Sequence, residues 1–176
     1  GRAPVSIIVP VGCRPGAHDP GWSAGDLEEA VRARGLVPPQ VVALDEWVPY
    51  RDRHRILNRA ALVAVLHRSG DEAALSFRTR ALDAVWAGVP LLLSEGGEVS
   101  RLARQHGWGG VVPPGDAAAA AVAIGRLLSD GEQTRCRAAL ARSRPSWTWS
   151  RVAEPLLAAL PELPRVARRS LLPAAL

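Results

Sequence analysis

Apolar and polar positions alternate along the chain in blocks, and each block has the length of one strand or one helix. Short, nearly unbroken apolar runs of three to six residues, several of them bounded by Gly or Pro, predict buried strands. The predicted strands are Ser6–Val11, Val41–Leu44, Leu62–Leu66, Val89–Leu93 and Gly110–Val112.

The segments around these runs carry apolar residues at helical spacing. Ser76 and Asp116 stand where N-caps are expected, and Gly35 and Gly88 stand where helices end. The predicted helices are Ala24–Arg34, Arg51–Arg59, Phe77–Ala87, Glu98–His106, the alanine-rich helix from Asp116 to near Leu128, Gly131–Ser143 and Val152–Leu160.

Apolar strands that are each followed by a helix are typical of a parallel sheet covered on both faces. Right-handed crossovers then predict an α/β fold: a doubly wound, Rossmann-like parallel sheet with helices on both faces. We expect one such domain at residues 1–160 and a C-terminal tail at 161–176. Ligands of these folds bind outside the carboxyl ends of the strands. The loops at that edge are Gly12–Gly25, Asp45–Arg51, His67–Ser76 and Ser94–Glu98.

Composition narrows the class of protein. Of 176 residues, 48% are hydrophobic and 22% charged, which is typical of a globular protein, and no apolar run is long enough for a transmembrane helix. The net charge is +5 and lysine is absent; the scattered arginines disfavour nucleic acid and favour a phosphorylated ligand. Cys13 and Cys136 have no metal-ligand spacing and indicate a reducing compartment. Because the chain lacks methionine, we expect a piece of a longer product or a processed chain.

The segment from His67 to Pro90 carries the strongest chemical signal. It leaves a strand, passes Asp71 and Glu72, and then begins a helix with Arg78 and Arg80 in its first turn. A helix start offers backbone N–H groups and the positive end of a dipole, which favour phosphate. Arginines there reverse the usual preference for acids, which fits a bound anion. The alternative is that they are solvated or paired with the neighbouring carboxylates.

This segment resembles the donor-binding motif of GT-B glycosyltransferases, specifically that of the large retaining family that uses nucleotide-activated sugars. The motif runs from an acid through a helix start to a second acid and Gly-x-Pro, here Glu72, Ser76–Arg80, Asp83 and Ala87–Pro90. A bacterial subgroup is similar in its Ser-Phe-Arg-Thr-Arg and Trp-Ala-Gly-x-Pro sequences. Three downstream segments resemble the same subgroup: Ser94–Ser100, His106–Gly110 and Val112–Asp116.

The resemblance implies a role for each matching residue. Glu72 would contact the transferred sugar and steady positive character at its anomeric carbon, and Arg78 would act with it in catalysis. Ser76, Phe77 and Arg78 would present N–H groups and a guanidinium to the diphosphate, whose developing charge must be stabilised. The implied donor-binding set is Trp47, Val48, Pro49, His67, Ser76, Phe77, Arg78, Thr79, Arg80, Asp83, Gly96 and Gly97.

Other members of that set have more specific roles. Asp83 stands where the family's second acid accepts hydrogen bonds from the ribose, and residues 47–49 match the segment that lines the base pocket. Gly96 and Gly97 would let the backbone pass close to the sugar or phosphate. His67 either polarises a sugar hydroxyl or is a structural residue.

Two departures from the family pattern matter. Glu72 and Asp83 are eleven positions apart, farther than the acids of the broader family. The family's Arg/Lys pair after the first strand is represented only by Arg14, so either Arg14 contacts the phosphate or Arg78 and Arg80 replace it.

The remaining aromatic and imidazole side chains receive structural roles. Spacing places Trp86 in the core and assigns Trp147 and Trp149 to packing. His18, His54 and His106 are expected at the surface.

The resemblance implies the donor-binding domain of a cytoplasmic bacterial glycosyltransferase of the hexosyltransferase type, which transfers a sugar from a nucleoside-diphosphate sugar to an acceptor. It would be part of the catalytic unit, with an upstream acceptor-binding domain as partner. No cofactor and no metal are expected, since arginines and a helix start neutralise the diphosphate. The alternative is a non-catalytic nucleotide-sugar binding module. The tail contacts the missing domain, is a disordered end, or lies on the inner membrane face.

Overall fold

The computed structural model describes residues 7–10, 24–35, 41–44 and 48–162. The chain divides into two compact units, Gly1–Arg59 and Ala60–Leu176, which are described separately. The described strands are β1 (Ile7–Pro10), β2 (Val41–Leu44), β3 (Val63–Val65), β4 (Leu91–Ser94) and β5 (Gly109–Val112). The described α-helices are α1 (Ala24–Arg32), α2 (Arg53–Leu57), α3 (Asp71–Leu75), α4 (Arg80–Ala87), α5 (Gly97–His106), α6 (Ala117–Leu127), α7 (Asp130–Ser143) and α8 (Trp149–Ala159).

In the first unit, β1 and β2 are parallel, with Ile7 opposite Val41. Helix α1, which lies between them in the chain, has an acid in its first turn and an arginine in its last, as the helix dipole favours. Both strands fall within their predicted bounds. A 3₁₀ turn at Tyr50–Asp52 leads into the short polar helix α2.

In the second unit, β3, β4 and β5 form a parallel sheet in that order. Val65 lies opposite Leu93, and Leu93 lies opposite Val111. Strand β4 is in the centre and all four of its residues are buried. The chain therefore winds across this sheet in one direction, and each new strand is added next to the last.

Two apolar clusters cover the two faces of this sheet. Leu91 and Leu93 belong to the first cluster, and Leu92 belongs to the second, because successive side chains of a strand point to opposite faces. The first cluster also contains Ala81, Ala84, Val85, Val99, Leu102, Ala103, Trp108 and Leu140. The second also contains Val112, Ala120, Ala123, Leu127 and Cys136. The predicted parallel sheet with helices on both faces is confirmed for this unit.

Trp108 is the largest fully buried side chain among the described residues. Its indole Nε1 donates to Oγ of Ser143 at 2.8 Å, and that hydroxyl donates to the carbonyl oxygen of Ala139 at 3.0 Å. Trp147 meets the indole edge-on at 5.8 Å between ring centroids. The polar atom of the indole is therefore satisfied inside the core, as a buried tryptophan requires.

The predicted helix Phe77–Ala87 is wrong at its beginning. Residues 71–75, expected as a loop, form the separate helix α3, and α4 begins at Arg80 with Thr79 as its N-cap. Ser76 is therefore not an N-cap, and Phe77 is not part of the helix. In place of a helical hydrogen bond, the N–H of Thr79 bonds to the carbonyl oxygen of Phe77 at 2.8 Å, so this segment forms a turn before the helix.

Of the three tryptophan predictions, the one for Trp147 is confirmed and those for Trp86 and Trp149 are wrong. Trp147 is partly buried against the first cluster, as predicted. Trp86 is 49% exposed, because the buried side of α4 carries Ala81, Ala84 and Val85, and position 86 lies away from that side. Trp149 is 87% exposed at the beginning of α8, a helix with no buried residue.

The other predicted helices keep their places within a few residues. Oδ1 of Asp116 accepts a hydrogen bond from the N–H of Ala119 at 2.8 Å, which confirms the predicted cap of α6. Cys136 is buried in α7, and that burial raises the pKa of its thiol. His54 and His106 are exposed as predicted, whereas Cys13, Arg14, His18 and residues 163–176 lie outside the described residues. The boundary predicted after residue 160 stays a prediction. Within the described ranges no helix has both the length and the apolar character needed to cross a bilayer.

Gly109 is where β5 comes closest to β4. A Cβ there would collide with the backbone of Leu91, including its carbonyl oxygen. We expect Gly109→Ala to lower the free energy of unfolding by about 3 kcal/mol, because the strand pair has to separate to admit the methyl group. Urea unfolding measures this change.

Gly125→Ala is the matched control, since a Cβ at this exposed position of α6 would meet nothing within 4 Å. There the same change should stabilise the protein by up to about 1 kcal/mol, because alanine is the better helix former. Equal effects of the two substitutions would contradict the close approach at Gly109.

Candidate functional site

A small cleft lies at the carboxyl ends of β3 and β4, the edge at which parallel sheets bind their ligands. The empty space between its lining residues, with the open solvent at its surface included, is about 270 Å³. Apolar side chains from the strands and helices form part of its wall, and residues from the end of β4, the neighbouring loops and α5 form the rest. Its lining residues are Val65, His67, Ala73, Arg78, Leu93, Ser94, Glu95, Gly96, Val99 and Ser100.

Ser94 fixes the end of β3 against the end of β4. Its hydroxyl accepts a hydrogen bond from the N–H of His67 at 2.7 Å and donates one to the carbonyl oxygen of His67 at 3.1 Å. The side chain thus satisfies both backbone groups of His67, which follows the end of β3. Ser94 is itself buried, so the position of His67 at the cleft is set by the sheet.

The loop from β4 to α5 turns through two glycines. Gly96 has φ +109° and Gly97 has φ +71°, which side chains disfavour. A Cβ on Gly97 would lie 2.9 Å from the carbonyl oxygen of Ala73, so α3 packs directly on this loop. Ser100 stabilises the turn, because its hydroxyl lies 2.9 Å from the carbonyl oxygens of both glycines and its single proton is donated to one of them or shared between the two. Gly97 therefore has a packing role in addition to the ligand contact predicted from the sequence.

Arg78 reaches the cleft from the segment that precedes α4. The N–H of Ala81 bonds to the carbonyl oxygen of Arg78 at 3.0 Å, and the N–H of Thr79 bonds to that of Phe77 at 2.8 Å, which forms a tight turn before the helix. Arg78 is half-buried, whereas Arg80 is exposed as the first residue of α4. The two arginines, expected in one helical turn, thus occupy different surroundings.

The other end of α4 is held by α7 and the turn that follows it. Gly88 ends α4 in the left-handed conformation at φ +70°, and a Cβ there would collide with Arg144. Nε of Arg144 donates to the carbonyl oxygen of Val85 at 3.1 Å, and Nη1 of Arg137 donates to that of Gly88 at 3.1 Å. Two guanidinium groups therefore neutralise the carbonyl end of the helix dipole, away from the cleft.

The structure brings three of the predicted residues to one cleft: His67, Arg78 and Gly96. Asp83 is half-buried in the first turn of α4, and Ser76, Phe77, Thr79, Arg80 and Gly97 adjoin the lining residues in the chain without lining the cleft themselves. Their predicted contacts with a ligand stay predictions.

The predicted roles of the remaining site residues are not tested, because these residues lie in the first unit or are not fully described. Glu72 belongs to α3, but its side chain lies outside what the structure describes. Val48 and Pro49 lie in the first unit, and Trp47 lies outside the described residues.

Three polar residues of the cleft were not in the predicted set: Ser94, Glu95 and Ser100. The first of them ends an otherwise unbroken apolar strand, and a lone hydroxyl in that place is the signal that would have found it. Glu95 is fixed by its N–H, which bonds to the carbonyl oxygen of Val112 at 2.8 Å, and by Arg104, whose Nη2 donates to its Oε1 at 2.7 Å.

The cleft therefore combines one guanidinium, one carboxylate, hydroxyls and an imidazole over an apolar base. Such a set suits a ligand that has an anionic part and a hydroxyl-rich part. Among the described residues, no three His, Cys, Asp or Glu side chains come close enough together to bind a metal ion.

Solved structures share the fold of this chain. HepE of Anabaena in complex with UDP-glucose has a TM-score of 0.60 at 22% identity, over 79% of this chain and 36% of HepE. Sucrose-phosphate synthase from Thermosynechococcus elongatus has a TM-score of 0.63 at 21% identity, over 89% of this chain and 38% of the synthase. The chain thus spans little more than a third of each protein, and the likeness confirms the Rossmann-like α/β fold. No protein-family model and no curated protein matches the chain.

Ser94→Ala tests whether the hydroxyl positions the cleft. We expect the free energy of unfolding to fall by about 1–2 kcal/mol, because both backbone groups of His67 lose their partner in a half-buried place. Amide exchange at His67 should become faster as well.

Ser150→Ala, at an exposed position of α8, is the control and should change the free energy of unfolding by less than about 0.5 kcal/mol. If Ser94→Ala left both the stability and the exchange of the His67 amide unchanged, the hydroxyl would not be what fixes this residue.

Proposed function

We propose that this chain binds the nucleoside-diphosphate sugar donor of a glycosyltransferase. The observation that carries the proposal is the cleft, where Arg78, His67 and Gly96, predicted as donor-binding residues, meet at the carboxyl ends of parallel strands. The fold supports it, because HepE, which shares that fold, was solved with UDP-glucose. The reaction would transfer the sugar from its diphosphate to an acceptor hydroxyl.

In this proposal, Arg78 binds the diphosphate. Its guanidinium stabilises the negative charge that grows on the nucleoside diphosphate as the bond to the sugar breaks, and the start of α4 adds the positive end of its dipole. The far end of α4 is already neutralised by Arg137 and Arg144. We therefore also propose that the site binds the diphosphate without a metal ion or another cofactor.

Three further groups complete the proposed donor site. Asp83 accepts hydrogen bonds from the ribose, Glu72 stabilises the positive character of the anomeric carbon, and residues 47–49 line the base pocket. A second domain would hold the acceptor; the matched structures belong to proteins more than twice as long as this chain. We further propose a bacterial, cytoplasmic enzyme.

The second candidate function is a nucleotide-sugar receptor without catalysis. Two features of the sequence favour it: the eleven-residue separation of Glu72 and Asp83, and the absence of lysine from the chain. Both candidates require donor binding, and only the enzyme requires Glu72.

Titration calorimetry with UDP, GDP and ADP tests the binding site. We expect one of them to bind, and Arg78→Ala to weaken it about tenfold to a hundredfold, because a hydrogen bond to a charged group is lost. Arg142→Ala, at an exposed position of α7, removes the same charge outside the cleft and should leave binding within about twofold. Binding by none of the three diphosphates would refute the proposal, and so would equal losses in the two variants.

Glu72→Gln tests catalysis in the full-length protein. We expect kcat to fall about a hundredfold or more with little change in KM, because this carboxylate would act mainly on the transition state. Asp71→Asn, at the exposed neighbouring acid, should retain activity. Retained kcat in Glu72→Gln would exclude the proposed role, and donor binding without any transfer by the unsubstituted protein would favour the receptor.

A further inference from the structure

Glu95 is the only carboxylate among the lining residues of the cleft. It lies between the end of β4 and the beginning of α5, and its side chain is 51% exposed. Its backbone is fixed on both sides: its N–H bonds to Val112 of β5, and Gly96 follows it in a conformation that side chains disfavour. The backbone at Glu95 is therefore held between β4 and α5, and its half-exposed carboxylate lies among the lining residues of the cleft.

The side chain is oriented as well as placed. Arg104 donates to Oε1 of Glu95 at 2.7 Å, while Oε2 accepts no hydrogen bond from the residues that the structure describes. An ionised carboxylate only accepts hydrogen bonds, and each oxygen has two lone pairs. Glu95 thus has acceptor capacity left for a ligand with hydroxyl donors.

The charge of Glu95 decides which part of the donor it faces. A carboxylate next to the diphosphate would set two negative charges against each other, so the diphosphate belongs with Arg78. The ribose belongs with Asp83 in the proposed function, and Asp83 does not line the cleft. What remains for Glu95 is the transferred sugar.

We propose that Glu95 selects the transferred sugar by accepting hydrogen bonds from the hydroxyls of a neutral hexose and repelling sugars that carry a carboxylate. This inference rests on the proposed function. It adds a substrate class: donors whose sugar is uncharged, as opposed to uronic acid donors. Arg104 is the positioning residue, because it holds one carboxylate oxygen and leaves the other to the ligand.

Titration calorimetry with a matched pair of donors on the full chain tests this. If UDP binds, the pair is UDP-glucose and UDP-glucuronate; if GDP binds, it is GDP-mannose and GDP-mannuronate; if ADP binds, it is ADP-glucose and ADP-glucuronate. We expect the unsubstituted chain to bind the neutral donor more tightly than the carboxylated one. Glu95→Gln should reduce the ratio of the two Kd values about fivefold, which is the scale of one partly solvated charge contact. The affinity for the free diphosphate should stay within about twofold, because Glu95 does not face it.

Glu98→Gln is the matched control. Glu98 is also exposed and also paired with an arginine of α5, Arg101, whose hydrogen bond and charge lower the pKa of its carboxyl. It does not line the cleft, so its loss should leave the sugar preference unchanged. An equal narrowing in Glu98→Gln would overturn the inference, because net charge alone would then account for the effect.

The double variant Glu95→Gln with Arg104→Gln distinguishes the effect of losing the carboxylate from the effect of releasing its partner Arg104. The narrowed preference should persist in it. A return to the original preference would overturn the inference, because attraction of the carboxylated sugar by the released Arg104 would then be the cause.

The two proposals fail differently. If none of the three diphosphates binds, the proposed function fails. If a diphosphate binds but the unsubstituted chain does not distinguish the two sugars, or Glu95→Gln does not alter the distinction, the selection by Glu95 fails while donor binding stands.

Discussion

The second unit depends on the complete burial of β4. All four residues of this strand are buried, and it supplies leucines to both apolar clusters. A strand with this burial needs a neighbour at each edge and a helical layer on each face, because neither its backbone nor its side chains meet water. Gly109 allows β5 to be the neighbour at one edge, since only a residue without a Cβ lets β5 approach Leu91 so closely. The cleft lies where this strand ends, so its base is formed by buried residues of the core.

Much of this fold could be predicted from the chain because burial leaves a direct trace in the sequence. The run before Ser94 is apolar at every position, and the glycines at 88 and 107 end helices where the chain must adopt positive φ. The start of α4 could not be predicted in this way. Residues 76–87 have helical spacing throughout, yet Phe77 lies in a turn before the helix, and its ring is near that of Trp147, some seventy positions later in the chain. A contact between distant positions leaves no trace in local periodicity.

In the candidate site, too, some residues could be predicted from the sequence and others could not. Arg78, His67 and Gly96 were found because strand ends and family resemblance point to the same loops. Ser94 and Glu95 were missed because their importance comes from partners in other elements: the backbone of His67 in one case, Val112 and Arg104 in the other. A serine or glutamate has no local signature that distinguishes such a role from simple solvation. Only the sheet, which brings three strand ends together, makes these residues part of one site.

The electrostatics of the cleft follow from how α4 is held. Its carbonyl end receives two guanidinium groups, from Arg137 and Arg144, so the negative end of the dipole is satisfied inside the protein. The positive end is next to Arg78, so the guanidinium and the start of the helix both favour an anion at the same place. The carboxylate of Glu95 provides a counter-charge at the same cleft but is engaged by Arg104. The proposed ligand, a diphosphate joined to a neutral, hydroxylated sugar, would satisfy both groups together, whereas phosphate alone would offer Glu95 no sugar hydroxyls.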